Sequence, residues 1–259
     1  MFALVRIRCL ILLLFALTQS PVQSAEGTKD VCVPEGVEGV EVEWAGAGHS
    51  FLSRDGRTYF LSDVYSPQSH QENEGAGHLP VGGPYIAYPL SDKPDRWGEL
   101  PAVVVGQGGY TVNKSVILAG QSFVFYVGLN TECQTALLEA ERLARLEQRG
   151  LWQTYSPYDA EDATLLKRYG EYHLVEGTVL SVGHTRKVIY LNFSERWTQD
   201  FTGIIQRENV EAFARSGIDV DALEGQFVRL RGVVQLRRGP EILLEHAAQL
   251  EVLQPESLN

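Results

Sequence analysis

The side chains able to do chemistry are sparse in this 259-residue chain, and their spacing rules out more than it proposes. The six histidines, His49, His70, His78, His173, His184 and His246, show no H-E-x-x-H or H-x-H spacing and no Cys/His ligand spacing, so no metal centre is expected. No serine-hydrolase elbow occurs. Gly106-Gln107-Gly108-Gly109 is too short for a phosphate-binding loop and reads as a hairpin turn. What remains is a set of arginines beside a tyrosine. Between Phe227 and Leu236, alternation sends Val228, Leu230, Val234 and Leu236 to one face and Arg229 and Arg231 to the other, with Arg237-Arg238 in the following turn. Arg229, Arg231, Arg237 and Arg238 then form an edge that meets an anion near Tyr190, or a solvated face whose arginines pair with glutamates such as Glu224 and Glu241. No cofactor is expected.

Cysteine usage depends on compartment. Residues 1–24 carry Arg6 and Arg8, then an apolar run from Cys9 to Leu17, then a polar stretch ending at Ser24. This is the pattern of a secretory signal peptide with cleavage before Ala25, and the apolar run is well short of the ~20 residues that span a bilayer. The expectation is an exported bacterial protein, periplasmic or secreted, with no membrane span after cleavage. Cys32 and Cys133 are then the only thiols left, and in an oxidising compartment they are expected to pair. The formal charge of -11 repels phosphate backbones at long range, so nucleic acid is an improbable partner. An envelope protein or an anionic ligand fits better.

The elements that must position these residues divide into two units. Val40 to Tyr65 reads as a hairpin around Asp55-Gly56-Arg57. Gln68 to Pro94 is a Gly/Pro-rich loop with a short strand at Tyr85 to Leu90, and Ala102 to Val105 is a further strand. A short helix is expected from Asn113, as its cap, to Ala119, stopped at Gly120. The strongest helical periodicity covers Glu132 to Arg149, with Thr131 and Gln134 as a capping box, Cys133 on its apolar stripe and Gly150 at its end. Residues 153–170 form a connector. From 171 the chain offers strands at Tyr172–Val182, Arg186–Phe193 and Asp200–Ile205, a helical interval at Glu208–Arg215, and strands at Gln226–Leu236 and Glu241–Leu244. Five strands with a helix between the third and fourth is the order of an OB-type Greek-key barrel, with a two-sheet sandwich as the alternative. In Tyr190-Leu191-Asn192-Phe193, Phe193 falls with the core and Tyr190 shares the opposite face with Asn192.

Three segments of the first unit, in order, resemble the thermonuclease, or staphylococcal-nuclease-like, family over roughly residues 40–152. They are Gly48-His49-Ser50-Phe51 through Asp55-Gly56-Arg57-Thr58 to Ser66-Pro67-Gln68; the turn Asp95-Arg96-Trp97-Gly98-Glu99; and Ser115 to Gly120 with Cys133 through Gly150-Leu151-Trp152. The resemblance implies an OB barrel followed by a C-terminal helix and calcium-assisted phosphodiester hydrolysis, in which carboxylates hold the cation and two arginines clamp the phosphoryl charge. Carried over by position, the two calcium carboxylates fall on His49 and Tyr65, the water-orienting glutamate on Gln68, and the arginines on Phe60 and Glu99. Asp63 and Arg57 are the nearest alternative counterparts. Residues 171–254 more weakly resemble an OB-like extension of exported nuclease-like proteins.

The fold class expected is therefore β-rich α+β: two OB-like barrels in tandem, the first staphylococcal-nuclease-like with a C-terminal helix. The domains are 1–24 (signal), 25–152, 153–170 (connector) and 171–254. The function expected is a catalytically degenerate, exported binding or assembly module. The alternatives are an active metal-dependent phosphodiesterase with a rearranged site and an envelope carbohydrate or lipid-intermediate binder.

Overall fold

The structure is a computed structural model that describes residues 30–46, 48–67, 79–126, 129–195 and 200–253. The segment read as a signal peptide, Gln68, His70 and His78 lie outside the described residues.

The first unit contains seven strands: β1 (Val40–Trp44), β2 (Ser50–Ser53), β3 (Thr58–Leu61), β4 (Val64–Tyr65), β5 (Tyr85–Pro89), β6 (Glu99–Val105) and β7 (Phe123–Val124). β1, β2, β3, β6 and β5 close into a barrel in that order, with β1 pairing β5 to seal it. Every pair is antiparallel except β3 with β6. Alternation selects the lining: Val42, Phe51, Tyr59, Leu61, Ala87 and Val104 are buried, while Glu41, Leu52 and Thr58 face outward. The stretch expected as one hairpin, Val40 to Tyr65, is thus four strands, β1 to β4, and Asp55-Gly56 makes only the reversal between β2 and β3. Gly56 takes φ 85° and its N–H donates to the Ser53 carbonyl at 3.0 Å.

Helix α1 (Val112–Leu118) and helix α2 (Thr131–Leu146) pack on this barrel. Asn113 is not the cap of α1, whose N-cap is Thr111; it is fully buried and cross-links the barrel, accepting from Val104 N–H at 3.0 Å and donating to the carbonyls of Ser62 and Ala102 at 2.8 and 3.2 Å. Asn130 rather than Thr131 caps α2, its side chain accepting from Cys133 N–H at 2.8 Å. A buried Asn that satisfies three backbone groups stabilises more as a strut than as a cap. Past α2, Gly120 and Gly150 meet backbone to backbone: Leu151 N–H donates to the Gly120 carbonyl at 2.7 Å, and a Cβ on Gly120 would lie 2.1 Å from the Arg149 carbonyl oxygen.

The second unit holds β8 (Tyr158–Asp159), β9 (Tyr172–Thr178), β10 (Ser181–His184), β11 (Val188–Asn192), β12 (Thr202–Gln206), helix α3 (Val210–Arg215), β13 (Phe227–Leu236), β14 (Pro240–Leu244) and β15 (Leu250–Val252). The sheet runs β10-β11-β12-β14-β13-β9-β8, and β15 also pairs β13. Its ends are joined by one stretch of chain. Val179 N–H donates to the Gln226 carbonyl beside β13, and Leu180 N–H to the Asn192 carbonyl on β11, at 2.9 and 2.8 Å. The strand expected at Tyr172–Val182 therefore bends between these two residues and curls the sheet into a half-barrel around Val175, Ile189, Leu191, Ile205, Leu230 and Ile242. The whole is β-rich, of the barrel or OB-like class, with few helices. No helix among the described residues is long and apolar enough to cross a membrane.

The two units share an interface. Phe123, Ala144, Leu151 and Trp152 of the first bury against Tyr172 and Leu174 of the second, and the Tyr172 hydroxyl donates to the Val124 carbonyl at 2.6 Å.

Candidate functional site

The positions singled out in the first barrel do not converge. Phe60 on β3 and Glu99 at the start of β6 share the outward face: Phe60 pairs with Ser50, and Ser50 Oγ donates to Glu99 Oε1 at 3.1 Å. Glu99 closes the Asp95–Glu99 turn, where Asp95 Oδ1 accepts from the N–H groups of Trp97 and Glu99 at 2.8 and 3.0 Å. His49 points elsewhere. Its Nδ1 lies 3.0 Å from Ser66 Oγ, which is 2.7 Å from the buried Ser122 Oγ. Burial with no carboxylate partner lowers its pKa from 6.5 to about 4, so the ring is neutral near pH 7.

Tyr65 lies in the interface between units, its ring 4.6 Å from that of Tyr172 and 6.3 Å from that of Phe125. Burial there pushes its hydroxyl pKa up. Of the alternative counterparts, Asp63 is 1% exposed and accepts from Ser62 Oγ at 2.5 Å, and Arg57 pairs with Asp55 in the hairpin turn at 2.7 Å. A calcium ion prefers several carboxylate or carbonyl oxygens at one point. An imidazole tied to a serine and a phenol packed on another ring do not fit it. Among the described residues no group of three or more His, Cys, Asp or Glu side chains converges.

The second unit carries the better-formed site. A cavity of about 550 Å³ opens on the outer face of β10, β11, β12 and β14, closed on one side by the β13–β14 turn. Ile189 and Leu191 point into the core, which turns Tyr190 and Asn192 out to the cavity, as their alternation requires. Thr202 and Ile204 of β12 and Glu241 of β14 complete its floor, and His184, Arg237 and Arg238 stand at its rim. Arg237 Nε is 3.1 Å from Glu241 Oε1. Burial raises the Glu241 pKa and Arg237 opposes that shift. Arg238 is exposed and has no carboxylate partner among the described residues. His184 Nε2 is 3.2 Å from Asp221 Oδ1, and its Nδ1 is 3.2 Å from Arg207 Nη2.

The four arginines expected on one edge are therefore split. Arg237 and Arg238 stand beside Tyr190, as read from sequence. Arg229 and Arg231 do not: they are 2% and 0% exposed and occupy the interface between units. Arg229 Nε donates to Glu176 Oε1 at 2.7 Å and its Nη1 is 3.4 Å from Glu251. Arg231 pairs with Glu251 and, at 2.8 Å, with Glu141 of α2. Alternation had placed both on the correct face of β13. That face is covered by α2, with Glu251 of the adjacent strand β15 beside it, which a single strand's pattern does not reveal.

Glu241 and Thr202 carry no local signal marking them as cavity residues; β12 pairing in parallel with β14 brings them together. Cys32 and Cys133 are bonded, with their Cα atoms 4.6 Å apart. Compared with known proteins, the chain matches no family model and no curated protein.

Proposed function

We propose that this chain is an exported binding or assembly module, in which a thermonuclease-like barrel that has lost catalysis is joined to a second OB-like barrel that receives an anionic ligand or an envelope partner. The order β1-β2-β3-β6-β5, with β3 parallel to β6, supports an OB barrel in the first unit. If β9 and β10 count as one bent strand, the second sheet follows the same order with β12 parallel to β14. The observation that carries the loss of catalysis is the fate of the four described family positions. His49, Phe60, Tyr65 and Glu99 supply one carboxylate and no guanidinium, and they sit in three separate environments. Removing one transition-state donor costs ~10²–10³ in rate. Here both arginine positions are lost, and Glu99 puts negative charge where phosphate would sit. In the second unit, the cavity on the β11–β12 face, flanked by two inter-strand turns, has the placement that OB folds use for ligands.

The test is direct. The mature protein is expected to leave single-stranded DNA and RNA uncut, with or without millimolar calcium, and calcium is expected to leave its melting temperature unchanged. Calcium-dependent cleavage that disappears in Asp63→Asn would overturn the proposal in favour of a phosphodiesterase with a rearranged site.

A further inference from the structure

The strand registers in the second unit set two rows of residues across the outer face of the sheet, of which Gly183, Tyr190, Asn192, Thr202, Ile204 and Glu241 line the cavity. Ser181 pairs with Asn192, Asn192 with Thr202, and Thr202 with Glu241, which forms a polar row across β10, β11, β12 and β14. Two residues along, Gly183 pairs with Tyr190, Tyr190 with Ile204, and Ile204 with Leu243, which forms an apolar row containing one aromatic ring. The rows are ~6.5 Å apart along the strands, close to the width of one six-membered sugar ring. Gly183 keeps the apolar row open, because a Cβ there would sit 3.5 Å from Asn192 Nδ2 and 3.7 Å from Tyr190 Cβ, and a longer side chain would cover both.

The free hydrogen-bonding capacity follows from the contacts. Asn192 Nδ2 donates to Ser181 Oγ at 3.1 Å, which leaves Asn192 Oδ1 as an acceptor. Glu241, which lines the cavity, meets Arg237 through Oε1, and Oε2 has no hydrogen-bond or ion-pair partner among the described residues. Two acceptors and a hydroxyl in line suit a ligand that brings O–H donors. One ring beside them suits a ligand with an apolar C–H face. At the rim, unpaired Arg238 suits a single carboxylate, which it can grip through two parallel N–H groups.

We propose that this cavity binds an acidic saccharide, with the C–H face of one uronic-acid ring on Tyr190, its hydroxyls on Asn192, Thr202 and Glu241, and its carboxylate on Arg238. The proposal rests on the reading of the second unit as the binding module. A nucleic acid strand is the poorer occupant, because such strands are held by a continuous cationic groove and successive stacking rings. Among the described residues the cavity floor offers one aromatic ring, Tyr190, and a carboxylate, Glu241, stands beside it.

The experiment is calorimetric titration of the full mature chain with three probes: tetragalacturonate, its carboxyl-reduced neutral counterpart, and a tetramer of oligothymidylate. Tetragalacturonate is expected to saturate one site, and the reduced sugar to bind at least ~10-fold more weakly. Arg238→Gln is expected to bring the uronate down to the level of the reduced sugar while leaving the reduced sugar unchanged. Tyr190→Ala is expected to weaken both by ~10-fold or more. Equal affinity for the charged and reduced sugars would overturn the proposal, as would the absence of saccharide binding. Oligothymidylate binding that depends on Tyr190, without saccharide binding, would overturn the saccharide while leaving the cavity as the binding site. Nuclease activity, tested separately, is what would remove the underlying reading.

Discussion

At the scale of single residues, His49 shows how loss of solvation sets the charge of a titratable group. Its half-buried imidazole lies against Ser66, which is bonded in turn to Ser122, and is held neutral near pH 7. A histidine whose folded pKa is depressed resists protonation only in the folded state. Its contribution is therefore complete above about 6.5 and is lost as pH falls from there toward about 4. Over that interval the denaturant midpoint of the wild type is expected to fall more than that of His49→Asn, which cannot take up a proton. Equal slopes for the two proteins would show that the ring is solvated in the folded state.

At the scale of elements, the first barrel depends on ties made outside its hydrogen-bond ladders. Asn113 holds the end of β3 to β6 through three backbone groups, and the disulfide holds the segment before β1 to α2. Both sulfurs are buried, with Cys32 and Cys133 1% and 0% exposed, so the native protein is expected to show no thiol reactive to Ellman's reagent until it is unfolded and reduced. The cysteines are separated by 101 positions, and closing a loop of that size is worth up to ~4–5 kcal/mol in the chain-entropy account. Replacing both by serine should lower stability by up to that amount in denaturant titration. A loss near zero would mean that the N-terminal segment adds nothing to the barrel.

At the scale of the whole molecule, the two units are joined by charge as well as by aromatic rings. Burial works against the charge of Arg231, but Glu141 and Glu251 outweigh it and hold the guanidinium protonated; Glu251 in turn is kept ionised, against its burial, by Arg231 and Arg229. The contact to Glu141 crosses from β13 to α2, and Glu141 also accepts from Val124 N–H at 2.7 Å. Breaking one side of such a pair leaves an uncompensated buried charge, which costs ~3–5 kcal/mol. Arg231→Met should therefore destabilise the protein by that order, and Arg231→Met combined with Glu141→Gln should recover much of the loss. A cost below ~1 kcal/mol for the single variant would show that water reaches the pair and that the units are held by their rings alone.

The sequence by itself determined what is local. Alternation located the longer strands of both units but not the short β4, β7, β8 and β15; it set Tyr190 and Asn192 opposite Leu191, and turned Arg229 and Arg231 away from Val228 and Leu230. Cysteine arithmetic named the disulfide. Capping was misjudged at both helices of the first unit, because Asn113 and Thr131 have cap-compatible side chains and only three dimensions reveal that Asn113 faces three unsatisfied backbone groups and that Asn130 stands one residue earlier at the helix start. What lies on the far side of each face was decided by tertiary structure alone. Period-2 alternation separates two faces but does not say whether the second meets water or protein. The polar face of β13 is covered by α2 and, with Glu251 of the adjacent strand β15, becomes a buried ion network, whereas the polar face of β11, continuous with those of β10 and β12 and bordered by the β13–β14 turn, becomes an open cavity. Residues far apart in the chain, Glu141 for Arg231 and Glu241 for Asn192, make that difference, because pairing and packing between distant segments decide which charges lose their water.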